Sequence, residues 1–284
     1  MFQQQPEATS LLGKTLYPPP IADADRKRME TDLAAAFDKV REASSAENII
    51  WMGRRTAYLG RFREAIEVFS GGLRLYPDDP RLFRHRGHRF ISVREFDRAI
   101  RDLEQAASLI KGKPDEVEPD GQPNARNIPT STLHTNIWYH LALARYLKAD
   151  YVRAVDDWKR TRTAGRNSDN LVSSTHWLYT TLRRAGRADE ATAALEPIAN
   201  GLDVVENGSY YSLCLLYKGV RNEADVLQAA GTGSAATAVR YGVSAWQLAN
   251  GRRDDARKMW DQILAGPDWP SFGYIAAEAD FARK

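Results

Sequence analysis

The sequence has almost no cysteine, no long apolar run and little excess charge. Cys214 is the single cysteine among 284 residues, which excludes an internal disulfide framework and any metal site built from several cysteines. The longest apolar run, 209–217, is far shorter than the roughly 18 to 20 residues that a membrane-spanning helix needs. Lysine and arginine number 40 against 37 acidic residues. This balance does not by itself indicate nucleic-acid binding.

The first ten residues, MFQQQPEATS, have neither a basic segment nor an apolar stretch, so the numbered chain shows no signal peptide. A polar start of this kind also fits an exported protein whose signal peptide has been removed. We expect a periplasmic or exported location, with a cytoplasmic one as the alternative. Three consecutive prolines, 18–20, predict an extended segment over residues 1–21. An apolar stripe then predicts a helix over 22–45.

The sequence repeats itself with a spacing of 34 residues, which is typical of stacked repeats. The repeated phrase returns four more times, around Ala154, Ala191, Ala224 and Ala256. Small residues on one predicted helix (Gly53, Gly87, Ala142) would meet small residues on the next (Ala65, Ala99, Ala154), which predicts closely packed antiparallel pairs. Glycines after the first helix of a pair indicate turns with a left-handed residue: Gly60, Gly186, Gly219 and Gly251.

This pattern resembles the tetratricopeptide repeat (TPR) family over most of the chain, and in particular uncharacterised bacterial TPR proteins of the cell envelope. The best matches are Gly53, Gly60, Phe62, Ala65, Phe69 and Pro77, then Gly87, Phe96 and Ala99. The resemblance implies an all-α fold, a right-handed superhelical TPR solenoid of about six helix-turn-helix units within 46–266, with capping helices at 22–45 and 267–284. The units are 46–79, 80–112, 134–168, 171–203, 205–231 and 235–266, and residues 113–133 form a loop insertion. One irregular helical domain is the alternative.

The resemblance also implies that the first helices of the units line a concave groove. Its composition, rich in Trp, Tyr, Arg and His, is typical of binding hot spots. We therefore predict an interaction scaffold that binds an extended peptide or partner segment, with acidic and aromatic or aliphatic side chains complementing the groove. As an alternative, several of the rings would fill the tight inside of a short superhelix. We expect Arg84 and Trp177 in this groove to face solvent. The predicted groove residues are Trp51, Arg54, Tyr58, Arg84, His85, His88, Asn136, Tyr139, His140, Tyr146, His176, Trp177, Arg183, Arg184, Tyr210, Tyr217 and Tyr241.

The insertion, in the sequence GKPDEVEPDGQPNARNIPTSTLH at 112–134, is rich in proline and acidic residues and cannot be helical. We expect its acidic half to fold back toward the arginine-rich second repeat, 80–112, as a lid or an ion-paired strut. Its second half would bring Asn127, Thr130 and His134 toward the first helix of the third repeat, 134–168. A mobile surface loop is the alternative. With the insertion as a lid, the same groove would instead bind a small molecule or a glycan, in the manner of a binding protein or a hydrolase.

Other classes of function find little support in the sequence. His85 and His88 lie three residues apart rather than four, without a neighbouring carboxylate, so we predict no metal. No nucleophile elbow, phosphate loop or dinucleotide motif occurs in a usable context, so we predict no enzymatic activity and no cofactor. Ile50, Arg54 and His85 replace the Lys and Asn of the family's carboxylate clamp for chaperone tails. We predict a protein or peptide partner, no nucleic acid, no membrane insertion, and a monomer or weak homodimer.

Overall fold

A computed structural model describes residues 5–283. These residues form fourteen α-helices and one two-stranded antiparallel hairpin, so the fold is all-α. No helix in this part of the chain is long and apolar enough to cross a membrane. The chain packs as two compact units, unit 1 (Met1–Pro114) and unit 2 (Asp115–Lys284).

Unit 1 contains the β-hairpin and five helices, of which the last four form two antiparallel pairs. Each pair is a helical hairpin, α2 with α3 and α4 with α5, and α1 packs against α2. The elements are β1 (Ala8–Thr9), β2 (Thr15–Leu16), α1 (Asp23–Glu42), α2 (Ala46–Tyr58), α3 (Phe62–Leu75), α4 (Pro80–Ser92) and α5 (Phe96–Leu109).

The segment before α1 was expected to be extended, but between residues 5 and 21 it contains the β-hairpin, which the sequence pattern did not indicate. The first four residues of the predicted segment lie outside the described part of the chain. The Glu7 carboxylate accepts the backbone N–H of Arg63 at 2.8 Å. It thereby caps the start of α3, where the N-cap residue Arg61 makes no side-chain cap of its own.

Unit 2 contains nine helices, and eight of them form four successive pairs. They are α6 (Leu133–Leu147), α7 (Tyr151–Ala164), α8 (Ser168–Arg184), α9 (Ala188–Ala194), α10 (Gly208–Tyr217), α11 (Glu223–Gln228), α12 (Gly233–Ala249), α13 (Arg253–Leu264) and α14 (Phe272–Ala282). The last helix, α14, has no pairing partner of its own and contacts α6, α12 and α13.

The turn inside each of the six hairpins contains one residue with positive φ. The four predicted glycines have φ between 74° and 80°, which confirms the prediction of left-handed turns. In the second and third hairpins the same place is taken by Arg94 (φ 67°) and Ala149 (φ 60°). A side chain is strained in this conformation, so the turn geometry is imposed by the packing of the helices and not by glycine alone.

The first helix of a pair approaches the second closely where glycine is present. A Cβ added to Gly53 would lie 2.3 Å from the ring of Phe69, and one added to Gly87 would lie 2.8 Å from Leu103. The predicted neighbours of these glycines were the alanines at 65 and 99. The closest contact is made instead by a large side chain that uses the space left by the glycine.

Helix α14 was predicted to cap the end of the repeats, but it lies in the interior of unit 2. All residues from Gly273 to Asp280 are buried, and a helix buried on every side belongs to a core. A Cβ on Gly273 would lie 2.7 Å from the carbonyl oxygen of Thr237 in α12, so the two helices approach each other backbone to backbone. The ring of Phe272 contacts Tyr139 and His140 of α6.

The insertion makes ordered contacts inside unit 2. Its acidic half pairs with its own second half, through the bridge between Val117 and Thr132. Asp115 accepts the backbone N–H of His134 at 3.0 Å, and Glu118 accepts an amide N–H of Asn136 at 3.0 Å. The predicted destination of these acids was the arginine-rich hairpin. They instead bind the start of α6. Asp115 accepts a backbone N–H that has no partner within the helix, and Glu118 accepts the side-chain amide of Asn136.

The second half of the insertion reaches the loop before α10. Arg126 binds Asp203 at 2.7 Å, and the Thr130 hydroxyl donates to Glu206 at 2.6 Å. That loop is itself fastened to α8, since the buried Asp169 carboxylate accepts the backbone N–H groups of residues 205–207 at 2.8–2.9 Å.

Candidate partner-binding surface

The predicted groove residues of unit 2 are largely interior. Trp177 is 1% exposed, Tyr146 is 1% exposed, and Tyr241 and His176 are fully buried. Their rings pack face to face or edge to face with one another and with Trp158, which stacks on Trp177 at a centroid distance of 5.9 Å. In this unit the interpretation that rings fill a tight interior describes the structure, and the expectation that Trp177 faces solvent is wrong.

Hydrogen bonds connect these rings. The Trp177 indole N–H donates to the Tyr139 hydroxyl at 2.7 Å, and that hydroxyl lies 3.4 Å from the hydroxyl of Tyr210. Burial raises the pKa of both tyrosines above its ordinary value. Both hydroxyls therefore remain protonated, and they satisfy polar atoms inside an otherwise aromatic core.

His176 is held in this core as a neutral ring. Its Nδ1 lies 2.9 Å from the hydroxyl oxygen of Tyr217, and that hydroxyl donates to the carbonyl of Gly242 at 3.2 Å. Since the single hydroxyl proton is used there, Nδ1–H of His176 is the donor to Tyr217. Nε2 has no hydrogen-bond partner, and burial lowers the pKa of His176 to about 3.

A second set of bonds joins four helices of unit 2. The Tyr241 hydroxyl donates to the buried carboxylate of Asp280 at 3.1 Å, and the Tyr146 hydroxyl in turn bonds to Tyr241. Arg184 binds the same carboxylate, and so does Arg283 at 2.9 Å. The predicted groove residues Tyr146, Arg184 and Tyr241 thus stabilise the core through one aspartate of α14.

Other predicted groove residues of unit 2 have partners within the unit. His140 donates from Nδ1 to the carbonyl of Asn136 at 2.6 Å. Arg183 donates to the Tyr179 hydroxyl at 3.1 Å and to the carbonyl of Ala249. Asn136, Tyr139, Arg183, Tyr210 and Tyr217 are half-buried, and their predicted role in partner binding stays a prediction.

In unit 1 the corresponding residues are more accessible. Trp51, Arg54 and Tyr58 are half-buried on one face of α2. The Arg54 guanidinium lies over the Trp51 ring, 4.4 Å from its centroid, and its Nε donates to the Tyr58 hydroxyl at 3.4 Å. This arrangement holds an arginine against two rings while its planar group stays available, as in arginine-aromatic recognition surfaces.

Helix α4 contacts α2 and contributes arginines to the same surface. Arg84 and His85 are 7% and 6% exposed, so the expectation that Arg84 faces solvent is wrong. Arg84 bonds to Nδ1 of His85 at 2.9 Å, and His85 stacks on Phe69. His88 and Arg89 are half-buried. We call the set Trp51, Arg54, Tyr58, Arg84, His88 and Arg89 the α2–α4 face.

Arg89 is a member of this face that the sequence analysis missed. Burial is the largest of the causes that lower the pKa of Arg89, and the positive charges of Arg84 and Arg54 lower it further. No carboxylate is among the groups that act on it, and its guanidinium lies over the Phe62 ring at 5.3 Å. Its place one turn after the predicted residue His85 was the signal for it, since residues four apart share a helical face.

The remaining arginines of α4 and α5 are largely neutralised. Arg86 forms a bidentate pair with Asp102 at 2.7 and 2.8 Å, and Arg98 binds Glu95 at 2.6 Å. Arg81 binds Asp79 at 2.6 Å. The sequence RLFRHRGHRF is therefore not a uniform basic stripe, because some of its arginines are paired with carboxylates.

Comparisons with known proteins bear on the fold alone. No protein-family model matches the sequence, and no curated protein matches it. Similar solved structures include a tetratricopeptide repeat protein from Parabacteroides merdae, with 11% identity, a TM-score of 0.49, and coverage of 85% of this chain and 88% of that one. Another is YrrB, described as a TPR protein with an unusual peptide-binding site, with 13% identity, a TM-score of 0.46, and coverage of 81% and 91%.

A third similar structure is a putative kinesin light chain from Podosopora anserina with TPR-like repeats, with 16% identity, a TM-score of 0.45, and coverage of 80% and 94%. The fold is established by the hairpins of this chain, which have paired helices, small residues at the helix contact, and a left-handed residue in each turn. The chain has a TPR-like fold.

Among residues 5–283 of this TPR-like chain, no three His, Cys, Asp or Glu side chains converge on a point where a metal ion would bind. Two histidines of the predicted groove have other contacts. His85 bonds to Arg84, and His176 bonds to Tyr217 and stacks on Tyr210 at 4.8 Å.

Proposed function

We propose that the chain is an interaction scaffold and that it binds an extended segment of a protein partner on the α2–α4 face of unit 1. The observation that carries the proposal is the gathering of Arg54, Arg84 and Arg89 beside Trp51 and Tyr58, with no carboxylate among the groups that act on Arg89. A surface of this kind complements acidic and aromatic side chains.

The arginines fix the orientation of a bound carboxylate, and the aromatic rings provide apolar contact area. A guanidinium binds a carboxylate through two parallel hydrogen bonds, and partial burial strengthens these bonds because less water competes for them. Trp51 is anchored at its edge, since its indole N–H donates to Glu47 at 2.8 Å. Its ring is therefore already ordered, which reduces the entropy lost on binding.

The test is selection of peptides from a display library of extended random sequences. Wild-type protein is compared with a Trp51→Ala, Arg54→Glu double variant and with Arg74→Glu as the matched control. Arg74 is exposed on α3 and does not belong to the α2–α4 face. Circular dichroism and the melting temperature of each variant establish that the fold is retained.

We expect wild type and the Arg74→Glu control to enrich the same peptides, with aspartate or glutamate near an aromatic or aliphatic residue. The double variant should lose that enrichment. Enrichment that is the same in all three proteins, or that disappears equally in the control, would contradict the proposal. A fall in affinity with added salt is expected as well, because the contact is between charges that are partly exposed to solvent.

A further inference from the structure

Unit 2 contains a cavity of about 560 Å³ between the ends of α8, α12, α13 and α14. This volume lies within the range of small-molecule pockets. No residue of the insertion 112–134 is among those that line it. The lining residues are Arg184, Leu248, Arg253, Asp254, Arg257, Trp260, Asp280, Phe281 and Arg283.

The charge of the lining is unbalanced. Four arginines face two aspartates, so the lining has a formal charge of +2. At the floor, the Asp280 carboxylate is bound by both Arg184 and Arg283, so one negative charge is shared between two positive ones. The floor is therefore positive even though each of its charged groups has a partner.

The mouth of the cavity adds two more arginines. Arg253 and Arg257 are exposed, stand one helical turn apart on α13, and form no ion pair with any residue between 5 and 283. Arg257 lies over the ring of Phe281, 4.7 Å from its centroid. Asp254, also exposed, is the one acid at the mouth.

The walls between floor and mouth are apolar. Trp260 is 7% exposed, and its indole N–H donates to the Ser244 hydroxyl at 2.9 Å, so its ring is fixed in the wall. Leu248 and Phe281 complete the apolar surface. A ligand that fits has an anionic group for the arginines and an apolar body for these side chains.

We propose that this cavity binds a small organic anion, a carboxylate or phosphate on an aromatic or aliphatic body. Arg253 and Arg257 bind the anionic group, and Trp260 and Phe281 pack against the body. This site is independent of the α2–α4 face, and its occupation does not require that face to bind a partner.

The probes are phenyl phosphate and benzoate, with inorganic phosphate and phenol as the two halves of the ligand. Binding is followed by isothermal titration at constant ionic strength and by the indole N–H signal of Trp260 in NMR spectra, assigned with a Trp260→Phe variant. The protein variants are the Arg253→Gln, Arg257→Gln double change, Asp254→Asn, and Lys258→Gln as control. Lys258 is exposed on α13 and does not line the cavity.

We expect wild type to bind phenyl phosphate or benzoate more tightly than inorganic phosphate or phenol, with a shift of the Trp260 signal. The double variant should bind at least about tenfold more weakly, since two charge-assisted hydrogen bonds are lost. Lys258→Gln should match wild type, and Asp254→Asn should bind more tightly. The Arg and Lys positions are exposed, so these variants should fold normally.

Three results would overturn the proposal. One is the absence of any binding of either aromatic anion by wild type at millimolar concentration. Another is equal weakening by Lys258→Gln and by the double variant, which indicates attraction to net charge alone. The third is binding without a shift of the Trp260 signal, which places the anion elsewhere.

Discussion

Two tryptophans occupy the same repeat position in the two units and have different environments. Trp51 and Trp177 each stand nine residues before the turn glycine of their hairpin, Gly60 and Gly186. Trp51 is half-buried beside Arg54. Trp177 is 1% exposed, stacks on Trp158 and donates to Tyr139. The repeat position therefore determines which way a side chain points from its hairpin, and other elements determine whether it meets solvent.

In unit 2 the covering element is α14. It contacts α6 and α12 directly and binds the end of α8 through the pair of Arg184 with Asp280. No helix of unit 1 covers the α2–α4 face in this way. An inward face that is covered by a helix becomes core, and one that is left uncovered becomes a candidate binding surface.

The largest difference is expected from truncating the two tryptophans. Trp177→Ala should lower the free energy of unfolding by about 3 to 5 kcal/mol, because it removes a fully buried ring and leaves a cavity. Trp51→Ala should cost about 1 kcal/mol or less, since its ring is only half-buried. Chemical unfolding followed by circular dichroism measures both, and similar losses for the two variants would contradict the difference in environment.

A smaller effect is expected from acid. The pKa of His176 is about 3 in the folded chain and about 6.5 in the unfolded chain. The unfolded chain therefore binds a proton in this window that the folded chain does not, so stability falls as pH is lowered from 6.5 toward 3. Between pH 7.5 and 4.5 this amounts to a loss on the order of 2 kcal/mol.

The His176→Asn variant tests this contribution. The amide N–H can take the place of Nδ1–H toward Tyr217, and an asparagine side chain does not titrate between pH 7.5 and pH 4.5. The variant should lose less stability than wild type between pH 7.5 and pH 4.5. The unfolding free energies of wild type and of the variant are compared at pH 7.5 and at pH 4.5. An undiminished loss in the variant would show that other groups cause the acid sensitivity.

The smallest effect concerns the turns. Ala149 has φ of 60°, so Ala149→Gly should relieve strain and raise the free energy of unfolding by about 0.5 to 1 kcal/mol. Gly251→Ala should lower it by a similar amount, although a Cβ there has nothing within 4 Å. Thermal unfolding of both variants measures the pair of effects. Changes of the same sign would contradict the view that the positive φ of these turns favours glycine over alanine.

Much of the fold follows from local chemistry. The spacing of the small residues and the turn glycines indicated the helices, and the start of α4 follows from Asp79 and Pro80, since Asp79 accepts the N–H of Arg81 at 2.9 Å. Such signals act over a few residues, so they are visible in the sequence. The β-hairpin at 8–16 was missed because its two strands have only two residues each, too few to show an alternating pattern.

The candidate site was harder to predict. The resemblance placed Trp51, Arg54 and Tyr58 in one groove, and they do lie on one face of α2, but it gave Trp177 and Tyr241 the same status. Trp177 is buried by rings of α6, α7 and α12, and Tyr241 is bound by Asp280 of α14, so their burial depends on elements distant in the sequence. Arg89 was missed because an arginine-rich stretch does not reveal which of its members have acidic partners. That distinction depends on residues such as Asp102, brought near by the second helix of the pair.

The sequence by itself determined the local geometry of this protein: helices of a given length, paired by small residues and joined by left-handed turns. Those features arise from backbone conformation and from contacts within about one repeat, so they survive in any arrangement of the hairpins. Only the tertiary structure decided that α14 lies inside unit 2, that the aromatic rings of unit 2 form a core, and that the cavity beside Trp260 exists. Burial is the physical reason, because it depends on which distant element covers a surface.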